Sequence, residues 1–556
     1  MRSPSYRLLI ASVVALTTTY PAPAQVLLPP ALDPGVLQQR EIERERRQRE
    51  EELRQERIER PVAPQPRPVP QKAPVGEDLA FFVREIRFDP PSAILKPEEL
   101  EQLAAGYRGR SLRLTDLREL VERINALYRA RNIATAQASL PAQDVTDGVV
   151  VIRLVEGRLG QLQLRGNATT NDDYVGNRIS LKPEDVVDLE RLERDLVLFN
   201  RTNDAQLSAQ LQPGTDFGRT DIVITVVEPR QDDLRVTFDN TGSRGTGEYR
   251  LATTYVRRSL TGRRDDLFVS FAGAEGHLGK YITYGVPVGY RGTRVTVGYF
   301  EDSTRVVDGQ IASLRVTGEA SAFTGSLRHP LISRRDVQLD AVLSAKKRRT
   351  VNWIDGTVLN GSDLVAYSGG LDLQVPMGNG YWTANADWVA GESVPVSGTP
   401  RSYHLNKGAI QRSLRVSNAL TFSAGLSWQY TTDTLLPSSE QMLIGGEGTV
   451  RGYSPALLAG DRGVQVNLQM FRAVTLPESS PVRATALAFV DYGKVQPFRP
   501  INSQRSSDEL SSVGAGLNFA WGRSLSGRVI LGLPLISRPE EPRDYRLHFF
   551  LAWTMP

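Results

Sequence analysis

The stretch Leu420 to Tyr430, LTFSAGLSWQY, decides the fold. Leu420, Phe422, Ala424, Leu426, Trp428 and Tyr430 alternate with Thr421, Ser423, Gly425, Ser427 and Gln429. In an extended chain successive side chains point to opposite faces, so this segment reads as a strand with one apolar and one small or polar face. The same period of two returns in Trp382, Ala384, Ala386 and Trp388, and in Val464, Val466, Leu468 and Met470. It returns again in Val513, Ala515, Leu517, Phe519 and Trp521, and in Tyr545, Leu547, Phe549, Leu551 and Trp553. Repeated strands of this kind, separated by turns or polar loops, are the pattern of a transmembrane β-barrel. Asp232 to the end of the chain is 556 − 232 + 1 = 325 residues. At about 20 residues per strand and connection, that length supplies roughly 16 antiparallel strands, enough to enclose an aqueous lumen. Trp382, Trp388 and Trp428 suit the aromatic girdles of such a barrel. A soluble β-sandwich also alternates. It does not account for so many strands without a helix.

Toward the N-terminus the pattern changes twice. Residues 157–229 and 79–156 read as two copies of one small α/β unit, each in the order β-α-α-β-β. In the first, FFVREIRF (Phe81 to Phe88) alternates as a strand and Lys96 to Ala105 reads as a short helix. Thr115 is the expected cap of a longer helix with Leu117, Leu120, Val121, Ile124, Leu127 and Tyr128 on one face. Ala134 to Gln143 and Gly148 to Glu156 close the unit as strands. In the second, Leu159 to Gly166 is a strand, Asp172 to Ile179 a short helix, and Leu189, Leu192, Leu196 and Phe199 line a longer one. Gln206 to Gln212 and Asp221 to Glu228 close it. A small sheet of this kind leaves an edge strand that can accept an extended peptide as an added strand. A spacer or a dimerisation module is the alternative use.

Before these units, Val36 to Arg60 holds eight Arg and eight Glu. The pairs Glu43/Arg47, Glu45/Arg49, Glu50/Arg54 and Glu56/Arg60 have the favourable i,i+4 orientation, and Asp33-Pro34 offers a helix start. Such a helix is polar all round, so it stands in water or sits in a polar cavity. Residues 61–78 contain six prolines. As a polyproline spacer at about 3.1 Å per residue, they span up to roughly 55 Å. At the start, Leu8 to Leu16 is apolar, follows Arg2 and Arg7 and precedes Ala22-Pro23-Ala24. This reads as a secretory signal peptide over 1–24.

Composition narrows the chemistry. There is no cysteine, so no disulfide, thiolate metal site or cysteine nucleophile is possible. A net charge of +4 over 556 residues, without a basic stripe interleaved with aromatics, gives no reason to expect nucleic acid. The four histidines, His277, His329, His404 and His548, are scattered. No catalytic constellation, metal cluster or cofactor site is legible, and the chain reads as a non-enzyme.

One further stretch stands apart, Leu443 to Gly463, LIGGEGTVRGYSPALLAGDRG. Gly446-x-Gly448-x-x-x-Gly452 superficially suggests a dinucleotide loop, but that motif needs a helix after it, and the next regular segment is another alternating strand. The glycines suit a loop folded back tightly, with Arg451 facing Asp491 in the strand-like FVDYG segment.

Here the chain resembles the two-partner secretion transporters (TpsB, haemolysin-activator type) within the superfamily of POTRA-bearing outer-membrane barrels. Val450-Arg451-Gly452-Tyr453 is similar to the VRGY/F motif of that family's sixth extracellular loop. Phe489-x-Asp491-x-Gly493 is similar to its F-x-D-x-G strand motif. The two α/β units look like POTRA domains, and the charged helix at 25–60 looks like a plug helix. The resemblance implies a sixteen-stranded outer-membrane pore at 230–556, with periplasmic POTRA domains and the loop around 443–463 folded inward. It also implies that Arg451 is salt-bridged to Asp491 in a structural and gating role. Its expected partners are a large secreted exoprotein of the adhesin or haemolysin class bound by the POTRA domains, outer-membrane lipids and lipopolysaccharide, and the barrel-assembly machinery during insertion. Export would draw on folding of the client outside rather than on ATP. An insertase of the same superfamily is the alternative. One departure from the family pattern is that Trp553 is followed by Thr-Met-Pro in place of a terminal aromatic.

Overall fold

The computed structural model describes residues 28–44, 80–309 except 132, 134, 146, 216 and 217, and 311–555 except 498–505, 540 and 542. The expected signal peptide, the expected proline-rich spacer and the part of the expected charged helix beyond residue 44 lie outside the described residues. So do the i,i+4 pairs expected in that helix.

From Asp232–Asp239 to Arg546–Thr554, sixteen antiparallel strands close into one barrel. Its seam pairs Phe550–Thr554 with Asp239–Arg235. Side-chain burial runs opposite to that of a soluble protein. In the strand Leu420–Thr431, Phe422, Leu426 and Tyr430 are exposed on the outside, while Ser423, Gln429 and Thr431 are buried toward the lumen. Trp382 and Trp388 are exposed, whereas Trp428 is half-buried and donates from Nε1 to Asn406 Oδ1 at 2.9 Å. A lipid-facing wall places apolar side chains outward and keeps polar ones inside, where water or other polar groups satisfy them. The longest strand, Thr357–Met377, has 21 residues. At about 3.3 Å per residue it extends well past the apolar band of a bilayer, which is ~25 Å tall.

The two N-terminal units share one topology. The three-stranded sheets are Glu85–Phe88, Val149–Glu156, Ala136–Ser139 in the first and Arg158–Arg165, Arg219–Val227, Gln206–Pro213 in the second, each given in spatial order. In both, the first strand pairs parallel with the last, and the last pairs antiparallel with the one before it. Each buries its own core, with Leu117, Leu120, Ile124 and Tyr128 in the first and Leu192, Leu196 and Phe199 in the second.

Three local expectations are corrected. FFVREIRF is not one strand: Ala80–Val83 and Glu85–Phe88 belong to different sheets. At the break, Arg84 N and Glu85 N both donate to Gly148 O, at 2.7 and 3.1 Å, which pulls the chain from one sheet into the other. An extra strand, Arg110–Arg113, pairs with Ala80–Val83 and precedes the long helix. That helix, Leu114–Ala130, starts before Thr115, because Asp116 reaches back to accept from Arg113 N at 2.8 Å and caps it there. The strand expected over Ala134 to Gln143 shortens to Ala136–Ser139.

The second unit is bound to the near end of the barrel. Arg264, fully buried, donates from Nε to Asp204 Oδ1 at 2.7 Å and from Nη2 to Asp204 Oδ2. Ser259 Oγ donates to Thr169 O at 2.6 Å, and Arg178 Nη2 donates to Gly289 O at 2.7 Å.

Candidate functional site: the inward loop and the lumen helix

After the strand Leu420–Thr431 the chain does not turn directly into its neighbour, Arg462–Val474. The intervening residues enter the barrel, where Met442–Ile444 and Leu458–Gly460 form a small antiparallel ladder. Between them lies the loop that carries Val450 to Tyr453. Val450 and Tyr453 are fully buried with Ile444, Val495 and Leu510 in an apolar cluster, so the loop packs on the wall and does not float in the lumen.

Arg451 and Asp491 meet. Arg451 Nε donates to Asp491 Oδ2 at 2.7 Å and Nη2 to Oδ1 at 2.6 Å, a bidentate pair, and the Arg451 backbone N donates to Oδ2 at 3.1 Å. Both side chains are buried. The remaining valences are filled by groups that sequence reading passed over. Arg451 Nη1 donates to Gln469 Oε1 at 2.9 Å, and Asn467 Nδ2 donates to Asp491 Oδ1 at 2.8 Å. Asn467 Nδ2 also donates to the loop carbonyl of Thr449 at 2.8 Å. The guanidinium carbon of Arg451 lies 3.6 Å from the centre of the Phe489 ring, a cation–π contact. A charge-assisted fork of this kind, with its other donors and acceptors satisfied, resists rearrangement far more than a surface pair.

The motif glycines answer a packing need. Gly452 has φ +92°, and a Cβ at Gly532 on the facing strand would lie 2.5 Å from Gly452 N. A Cβ at Gly493 would lie 2.9 Å from Val450 Cγ2. The loop backbone therefore approaches the wall where the wall has no side chain. Tyr453 Oη donates to Ser511 O at 2.8 Å, and Ile536 N donates to Tyr453 Oη at 3.1 Å. Gly452 N donates to His548 Nε2 at 3.1 Å, and Ser454 N to Glu541 Oε2 at 2.7 Å. His548 thus has a structural role. Period-two alternation placed Asn467, Gln469 and His548 on the polar face, and only the register across strands reveals which of them reach the loop.

The second occupant of the lumen is a helix at residues 34–44. Its cavity is largely polar, with one apolar patch around Phe268 and Phe300 for Ile42, which is why a helix without a continuous apolar stripe is stable there. Gly35 N donates to Asp33 Oδ1 at 2.8 Å, capping the start. Asp33 Oδ2 accepts from Ser438 Oγ at 2.7 Å, joining the helix to the chain leading into the loop. Arg348 donates to Gln38 Oε1 at 3.0 Å and to Gln39 Oε1 at 2.7 Å, and Arg250 Nη2 donates to Glu41 Oε1 at 2.9 Å. Burial by itself raises the Glu41 carboxyl, but the guanidiniums of Arg250 and Arg44 outweigh it and hold the group at about 2. Among the described residues no cluster of His, Asp or Glu is arranged to hold a metal ion.

Comparisons with known proteins agree with this architecture. The family model for haemolysin secretion/activation proteins ShlB/FhaC/HecB matches residues 218–519, and the model for a ShlB-type POTRA domain matches residues 81–157. The heme/hemopexin transporter protein HuxB of Haemophilus influenzae strain 86-028NP is 26% identical, over 87% of this chain and 90% of that protein. The outer membrane transporter CdiB of Dickeya dadantii is 26% identical, over 84% of this chain and 85% of that protein. The solved structure of CdiB from Escherichia coli superposes with a TM-score of 0.67 at 21% identity, covering 95% of this chain and 99% of that one.

Proposed function

The chain belongs to the haemolysin secretion/activation protein family of the ShlB/FhaC/HecB type, and on that premise we propose that it exports one large exoprotein, in unfolded form, through its own barrel. The barrel lies in the outer membrane and the POTRA units face the periplasm. The observation that carries the reading is a wide barrel whose lumen is filled by an N-terminal helix and an inward loop, not by side chains of the wall. A pore that must open for a polypeptide and stay shut otherwise has a use for such an insert. A passive porin has no need of it.

The POTRA sheets present the edge strands Ala136–Ser139, Gln206–Pro213 and Arg158–Arg165, which support capture of an extended client segment by strand addition. Export is driven by folding of the client outside. Arg451 and Asp491, with Val450, Gly452, Tyr453, Phe489 and Gly493, hold the loop against the wall as structural and gating residues. They perform no chemistry on the client. Insertase activity is the competing use of the same architecture, and the helix-filled lumen favours a pore.

The test is co-expression with a large, repetitive secreted protein whose reading frame neighbours that of this chain, should the genome hold one. Export reading requires that protein in the medium only when the transporter is present. Its retention in the periplasm despite a correctly inserted barrel rejects the reading.

A further inference from the structure

Four contacts between the helix at 34–44 and the barrel wall share one chemistry, each presenting a side-chain acceptor to a cation. Gln38 accepts from Arg348 Nε at 3.0 Å while its own amide donates to Ala320 O at 3.2 Å. Gln39 accepts from Arg348 Nη2 at 2.7 Å, and Glu41 accepts from Arg250 Nη2 at 2.9 Å. Glu43 lies 3.9 Å from Lys407 Nζ. Both guanidiniums are buried, and each keeps a donor with no hydrogen-bond partner among the described residues, Arg250 Nε and Arg348 Nη1. Arg348 is also approached by Glu440, 3.7 Å away on the chain leading into the inward loop, which binds Lys346 at 2.5 Å.

None of these residues is needed to close the barrel, which its backbone ladder already does. Their side chains point to the lumen, and the helix supplies their acceptors. Withdrawal of the helix therefore takes Glu41 from Arg250 and both Gln38 and Gln39 from Arg348 in a confined space, leaving Arg348 only the more distant Glu440. A donor deprived of its acceptor in such a space is costly, and whatever enters the lumen next and offers an acceptor is favoured there. Residues 28–44 carry Asp33, Glu41 and Glu43 against Arg40 and Arg44, so withdrawal also removes one net negative charge from the lumen.

We propose that Arg250 and Arg348 are recognition positions for the translocating polypeptide, and that the lumen helix occupies them as an internal stand-in which the client displaces by exchange. The inference rests on the export reading and adds the chemistry of the segment that opens the pore. Arg348 and Ala320 O set a donor beside an acceptor, the complement of a side-chain amide, and Arg250 matches a carboxylate. The opening segment is thus rich in Asn, Gln and Asp.

The test uses the full-length protein in planar bilayers, with peptides of the helix's length added on the POTRA side. An unstructured Asp/Asn/Gly peptide is expected to raise the opening frequency and then block the open channel, and a Lys/Ser/Gly peptide to do neither. Arg250→Gln and Arg348→Gln channels should open more often than wild type, yet hold the acidic peptide for several-fold shorter times. Arg348→Lys should recover part of the block. Heat-modifiable gel mobility shows that each variant has formed its barrel. Residues that merely anchor the helix would raise opening and leave block of the open channel unchanged, and that result overturns the proposal. Equal block by the two peptides also overturns it. Client export by both Gln variants at the wild-type level overturns the exchange while leaving export intact. Absence of export by the wild-type protein removes the export reading itself.

Discussion

At the scale of residues, the Arg451–Asp491 fork sits where loss of one partner strands the other. Asp491 accepts from the Arg451 backbone and side chain and from Asn467, so its charge is compensated from several sides. Breaking a buried pair by removing one partner typically costs about 3–5 kcal/mol. Arg451→Ala is therefore expected to release the loop from the wall, and secretion assays should show client export abolished or severely reduced while the barrel remains in the membrane. Normal secretion by this variant sinks the proposed role. Gly532 provides a subtler probe of the same contact. A Cβ there would meet the Gly452 backbone N at 2.5 Å, too close for either strand or loop to keep its place. Gly532→Ala should expose the buried loop, read as faster proteolysis near Gly452 in folded protein, with the Arg451–Asp491 residues untouched.

At the scale of elements, the lumen helix is held largely by polar contacts, and such contacts respond to conditions. Deleting residues 25–60 should raise single-channel conductance in planar bilayers, and unchanged conductance refutes a plug at 34–44. Acid gives a second handle. The folded pKa of Glu41 is lowered from 4.5 to about 2, so docking is favoured in full above 4.5 and that contribution is lost as pH falls toward 2. Channel opening should accordingly rise between pH 4.5 and 2 in the wild type. In Glu41→Gln it should already be raised at neutral pH and respond less to acid over that window. A profile identical in the two proteins rejects Glu41 as the sensitive group.

At the scale of the molecule, the second POTRA unit and the barrel are joined by buried charge. Arg264, a residue at φ +57°, is fully enclosed between Asp204 of the POTRA unit and Thr169 and Thr170. Asp204→Asn weakens the fork without leaving a large void. It should broaden the spin-label distance distribution between the POTRA unit and the barrel, and distances as narrow as in the wild type reject the clamp. Client export should fall with it, since a captured segment must be presented to the pore mouth in one orientation.

The alternation from Leu420 to Trp553 determined the barrel by itself, since lipid on one side and a polar lumen on the other impose a period of two on every spanning strand. Repetition of one element order over 79–229 likewise determined two related units, and the resemblance carried by the VRGY and F-x-D-x-G motifs implied that Arg451 and Asp491 meet. Local pattern failed where long-range hydrogen bonds prevail: Gly148 O divides FFVREIRF between two sheets, and Asp116 moves the cap of a helix. Tertiary structure alone decided which polar residues matter. Asn467, Gln469, Gly532 and His548 look like any inward-facing residues until the register of distant strands brings them to the loop. The helix at 34–44 is as polar as a solvated one, and contacts such as those from Arg250 and Arg348, more than two hundred residues away, make the lumen its place. Those contacts depend on closure of the whole sheet, which no stretch of sequence encodes locally.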